Sequence, residues 1–176
     1  MSLEEANRTH ITECLVAMLE PKGDPGGEAG PGVTEAAVTL ANLARELPES
    51  RNGILEAGGI PKLLALLNSK SATTKEHALS AIAQIAHNSH KVQLQIGADP
   101  NGIPALVSTI NSGGSGANKD SETQKDLWAL AVLAIWHVSA GNRENQTKFQ
   151  QEGAIPCARR PVHSLHAAAP CTVSTP

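Results

Sequence analysis

AAVTLANLARELPESRNGILEAGGIPKLLALL, Ala36 to Leu67, reads as three helices in succession. Ala37, Leu40, Ala41 and Ala44 recur at helical spacing and mark a long amphipathic helix, which Leu47-Pro48 ends. A short helix follows around Ile54 and stops at Gly58-Gly59, a residue type that takes a left-handed C-terminal turn at no steric cost. Pro61 then sits in the first turn of a third helix, IPKLLALL, where its missing N–H is no loss.

Much of the chain is this passage written again. Gly59-Ile60-Pro61 returns as Gly102-Ile103-Pro104 and as Gly153-Ala154-Ile155-Pro156. The long helix returns as ALSAIAQIA at Ala78–Ala86 and as AVLAIWHVS at Ala131–Ser139. Pro61 and Pro104 are 43 residues apart, Pro104 and Pro156 are 52 apart, and Ala36 and Ala78 are 42 apart. The excess in the longer interval is the Gly/Ser insert NSGGSGANKD, within residues 111–121. Thr73–Glu76 and Ser121–Gln124 are capping-box patterns ahead of the two later long helices. Upstream, LVAML at Leu15–Leu19 aligns with LLALL at Leu63–Leu67, so residues 1–20 hold the middle helix of a partial unit. PKGDPGGEAGPG, Pro21–Gly32, then separates it from the long helix as a flexible Gly/Pro loop.

Three-helix units with a period of about 40–47 residues fall in the armadillo/HEAT range. The chain resembles the armadillo repeat family. The carrying residues are Asn145 and Phe149 before Gly153, the Gly-Ile-Pro or Ala-Ile-Pro corner, the Leu-rich middle helix and the Ala-rich long helix, over roughly Thr12 to Pro156. The resemblance implies an all-α, right-handed α-solenoid of two full units and partial first and last units. It divides the chain into a partial first repeat with its loop (1–32), a repeat region (33–156) and a disordered tail (157–176). The tail, CARRPVHSLHAAAPCTVSTP, replaces the Leu-rich helix that the pattern demands after Ile155-Pro156. Terminal units normally shield a stack, so the last long helix is expected to expose apolar surface, with Leu133, Ile135 and Val138 as candidates. Trp128 and Trp136 are read as core or capping residues of that Ala/Leu-rich helix.

Composition agrees with packed helices. Of 176 residues one is Phe, two are Trp and none is Tyr, leaving Ala, Leu, Ile and Val to build the core. A net charge of −3 and the absence of a long basic run argue against a nucleic-acid partner. No apolar run is long enough to span a bilayer and no signal-peptide core opens the chain. Three widely spaced cysteines (Cys14, Cys157, Cys171) suit free thiols in a reducing compartment. A cytoplasmic or nuclear protein is the expectation, with the sequons at Asn7 and Asn145 idle.

No catalytic constellation emerges. Neither His87 with His90 nor His163 with His166 has Cys or carboxylate partners to complete a metal site, so these histidines read as solvated surface. Neither glycine-rich stretch has a phosphate-loop ending. Glu35, Glu46, Glu49 and Glu56 read as exposed helix charge. No enzyme, cofactor or metal is expected.

The resemblance supplies the functional expectation instead. In the family's repeats an Asn on the third helix often bonds a bound peptide's backbone, with a Trp one turn earlier packing the peptide's side chains. Here the Asn-equivalent positions are Asn42, Gln84 and His137, and the Trp-equivalent ones are Val38, Ser80 and Leu133. The missing Trp ladder argues against an importin-like receptor for basic peptides. The expected role is a non-enzymatic scaffold holding an extended peptide or partner helix in the groove of the third helices. Two alternatives stand beside it: a substrate-recruiting fragment of a larger enzyme such as a U-box ubiquitin ligase, and self-association through the uncapped C-terminal end.

Overall fold

In the computed structural model the described residues are 3–20, 30–115 and 122–154, and they form nine helices with no strand. In chain order these are α1 (Leu3–Met18), α2 (Pro31–Glu46), α3 (Ser50–Glu56), α4 (Gly59–Leu66), α5 (Ala72–Ala86), α6 (His90–Ala98), α7 (Gly102–Ser115), α8 (Glu122–Ser139) and α9 (Arg143–Gln151). Two complete three-helix units, α3–α4–α5 and α6–α7–α8, lie between the pair α1–α2 and the lone α9. The long helices stack in series: α5 lies against α2, and α8 against α5. Helix α1 packs on α2 and α3, as α4 packs on α5 and α6, which makes α1 the middle helix of a partial unit. The architecture is an α-solenoid.

Small side chains make the stack close. Ala36, Ala37, Ala41 and Ala44 on α2 and Ala78, Ala81, Ala83 and Ala86 on α5 are all buried. Helices bearing such faces approach toward the short end of the usual 8–10 Å spacing. Leu40, Leu63, Ile82 and Leu106 fill the space between each long helix and its shorter partners and are fully buried. The corners obey the same economy of space. Gly58 adopts the left-handed conformation at φ 72°, and a Cβ on Gly102 would overlap the carbonyl oxygen of Ile96.

The turns from α2 to α3 and from α8 to α9 are tied by the same bond pattern. Ser50 donates its hydroxyl to the Leu43 carbonyl (3.1 Å) and Arg51 donates Nε to the Ala44 carbonyl (2.9 Å). Two units on, Asn145 donates to the Val138 carbonyl (3.0 Å) and Gln146 to the Ser139 carbonyl (2.9 Å). Each donor reaches back seven residues to a helix C-terminus whose carbonyls lack intrahelical partners. Asn145 also donates to the Gln93 carbonyl (2.8 Å), and its burial closes off the sequon at that position.

The structure differs from the sequence reading in three local places. Helix α2 starts at Pro31, two residues before Val33, because proline is pre-shaped for the first helical position. Helix α5 is capped by Ser71, which accepts from the Thr74 N–H (3.3 Å). Thr73 therefore lies inside the first turn, its hydroxyl 2.8 Å from that of Ser71. Helix α7 continues to Ser115, into the insert, since extending a formed helix gains one backbone bond per residue even without good helix formers. The loop at 21–29, the rest of the insert, the Ser121 cap and the tail lie outside the described residues.

Candidate functional site

On the three stacked helices, the sequence-equivalent positions fall on matching faces, opposite the side that carries Leu40 and Ile82 into the core. Asn42 is exposed on α2, and Gln84 and His137 are half-buried on α5 and α8. One turn earlier Val38 and Ser80 are half-buried and Leu133 is 38% exposed. Among the described residues no hydrogen bond joins Asn42, Gln84 and His137 to one another. They share one register on α2, α5 and α8, which stack in series.

His137 is not a freely solvated member of that row. Its Nδ1 lies 3.2 Å from Nδ1 of His87, with the two rings edge to face and their centroids 4.6 Å apart. Asn88 Nδ2 sits 3.2 Å from His87 Nε2. Which ring nitrogen of each imidazole carries the proton sets the direction of both contacts. Arg51 completes the junction by donating Nη1 to the His87 carbonyl (2.7 Å), joining α3 to the C-terminus of α5. Burial first, then the fields of His87 and Arg51, hold the His137 pKa below its ordinary value. The expectation of His87 as plain solvated surface is therefore corrected: it is half-buried and bridges two units. His90 is exposed as expected.

The exposed apolar surface of α8 is also not where the sequence placed it. Of Leu133, Ile135 and Val138, only Leu133 is exposed; Ile135 is half-buried and Val138 fully buried against the preceding helices. Trp128, Val132 and Trp136, spaced four apart, are instead 46%, 40% and 67% exposed. Neither tryptophan is therefore the core or capping residue that the sequence suggests. Register was the missed signal: Val132 and Trp136 occupy the positions of Leu79 and Ala83 in α5, which α8 covers. Among the described residues nothing stacks on the far side of α8 as α8 stacks on α5.

Other features carry little chemistry. A cleft of about 390 Å³ between α1 and α3 is lined by residues that include Arg8 and Glu49, an ion pair at 2.8 Å. Glu46 pairs with Arg45, and Glu35 and Glu56 are exposed. Among the described residues no three His, Cys, Asp or Glu side chains converge as metal ligands, and no helix is long and apolar enough to cross a membrane. Cys14 is a free, exposed thiol.

The stacked units have counterparts among known proteins. Residues 54–87, the end of α3 through α5, match the Armadillo/beta-catenin-like repeat family. The chain is similar to that family over this one repeat. It is 46% identical over 57 residues to U-box domain-containing protein 4 of Arabidopsis thaliana, an alignment covering 32% of this chain and 7% of that relative. Among solved structures, the crystal structure of an engineered protein superposes with a TM-score of 0.64 at 24% identity, over 81% of this chain and 52% of the other. That likeness supports the fold alone. The chain thus spans about half of the solved structure and a small fraction of the plant relative.

Proposed function

We propose that the protein is a non-enzymatic binding scaffold that holds an extended peptide or partner helix across α2, α5 and α8. The observation behind this reading is the register-matched row of Asn42, Gln84 and His137, carried on the core-opposite faces of three helices locked together by buried alanines. Amide and imidazole groups can each exchange hydrogen bonds with a peptide backbone. A pre-ordered row keeps the ordering cost on the partner's side. No residue here has a catalytic role in this reading, and no cofactor is required. A soluble cytoplasmic or nuclear setting fits it.

The test is selection of peptides from a displayed library on the wild-type protein, followed by titration against Asn42→Ala/Gln84→Ala. Loss of two hydrogen bonds should weaken binding by roughly tenfold or more, with an unchanged helical melt. Selected peptides that bind the double variant equally well would remove the groove from the account.

The 46% identity to a U-box protein favours a second reading, in which this array recruits substrates for a larger enzyme. Co-purification with ubiquitin-transfer activity from the native source, lost in Asn42→Ala/Gln84→Ala, would support it.

A further inference from the structure

We propose that His87 and His137 form a proton-operated gate between α5 and α8: a second proton on the pair parts the two rings and turns His137 outward as a cation. The contact is made by like atoms, Nδ1 to Nδ1 at 3.2 Å, with the ring planes at 89°. It needs one hydrogen and one lone pair between them, whichever ring supplies which. A pair of neutral imidazoles meets that condition, and so does a pair in which one ring is an imidazolium. When both rings are imidazolium, each Nδ1 carries a hydrogen and neither can accept. Two donors then face each other across 3.2 Å, with a positive charge on each side. The contact therefore survives the first protonation and is lost in the second, and the two steps belong to the pair rather than to either ring.

Among the described residues, the surroundings supply no acidic partner for the second charge. Arg51 of α3, on the His87 carbonyl at 2.7 Å, is itself positive, and it acts together with His87 on His137. On α2, Glu46 is tied to Arg45 (3.0 Å) and Glu35 is exposed, as is Glu56 of α3. Lys62 of α4 is tied to Glu20 (3.0 Å), and Glu144 of α9 to Lys148 (2.7 Å). His90 and Lys91 of α6 and Arg143 of α9 are exposed basic groups, and α7 carries no charged residue. Lys75, Glu76 and His77 of α5, and Lys125 and Asp126 of α8, lie at least about 15 Å of helix rise from the pair.

The backbone stays in place while the rings part. Gln93 holds the His137 carbonyl at 2.8 Å whatever the ring does, and Ala134 and Val138 beside it are fully buried. The Asn88 amide offers both a donor and an acceptor, so it serves His87 Nε2 in either state. His137 is half-buried in the last turn of α8, so its ring reaches water by side-chain rotation. The consequence for a partner rests on the groove reading: the α8 end of the Asn42–Gln84–His137 row turns from neutral to positive, favouring acidic over basic peptides in acid.

Imidazole NMR on the full wild-type chain tests the gate directly. On acidification the two rings should protonate in two linked steps. The NOE between them should survive the first step and vanish in the second, with helical circular dichroism retained. In His87→Gln the new amide accepts from the protonated His137 ring. His137 should then protonate in a single step, at a higher pH, and keep its place against residue 87. A ring–ring NOE that persists with both rings protonated overturns the proposal. So does an NOE lost only as the helical signal is lost, or a His137 titration that His87→Gln leaves unchanged. Peptides selected at neutral pH supply a separate arm: their affinity should change in the second step in the wild type and not in His87→Gln. If no peptide binds at either pH, the groove reading fails, and the NMR outcome still decides the gate.

Discussion

Helices α5 and α8 occupy the same place in successive units, yet they live in different environments. Leu79 and Ala83 on α5 are fully buried, while Val132 and Trp136, at the same register on α8, are 40% and 67% exposed. The opposite flanks agree: Ala78 and Ile85 are fully buried, as are Ala131 and Val138. Among the described residues, what separates the two helices is therefore a neighbour on one side only. In a solenoid each unit is stabilised by its own packing and by the interface with the next, so the energetic weight of a side chain depends on its place in the array.

Matched truncations should expose this difference most strongly. Leu79→Ala removes a fully buried side chain of α5 and should destabilise the protein by about 2–5 kcal/mol in urea unfolding. Val132→Ala at the same register should cost well under about 1 kcal/mol at concentrations where the chain is monomeric. Equal losses would mean that α8 is covered as α5 is, and the contrast between the two helices would be void.

A smaller effect tests the ties between units. Asn145→Ala strips donors from the Gln93 and Val138 carbonyls in a buried position, and should cost about 1–3 kcal/mol. Its counterpart Ser50→Ala loses the bond to the Leu43 carbonyl and should cost less, since Arg51 still holds the adjacent Ala44 carbonyl. A reversed order would show that the seven-residue back-bonds are not equivalent in the two units.

The smallest effect is set by pH. Folding lowers the pKa of His137 below its ordinary value of 6.5, so near and below that value the unfolded chain binds more protons than the folded one. The associated stability is fully present above pH 6.5 and is lost as pH falls through the depressed folded value. Urea midpoints should decline on acidification through this range, and His137→Gln should flatten the decline by taking away the proton and the repulsion from His87 and Arg51. An unchanged slope in the variant would assign the pH dependence to other groups. Gln84, which fills the same position on α5, has no such titration.

Sequence periodicity by itself determined the fold. The Gly-Ile-Pro corners, the Leu-rich middle helices and the alanines of the long helices recur at fixed offsets, and each carries a local physical instruction that needs no distant partner. The same offsets assigned Asn42, Gln84 and His137 to one row, because register is a property of the chain. Only the tertiary structure decided which residues were covered. Trp136 stands where Ala83 stands, and whether that position is core or surface depends on a helix stacked beyond it. The meeting of His87 with His137, 50 residues apart, was equally hidden. It arises from how α8 settles on α5, which spacing along a single helix cannot report.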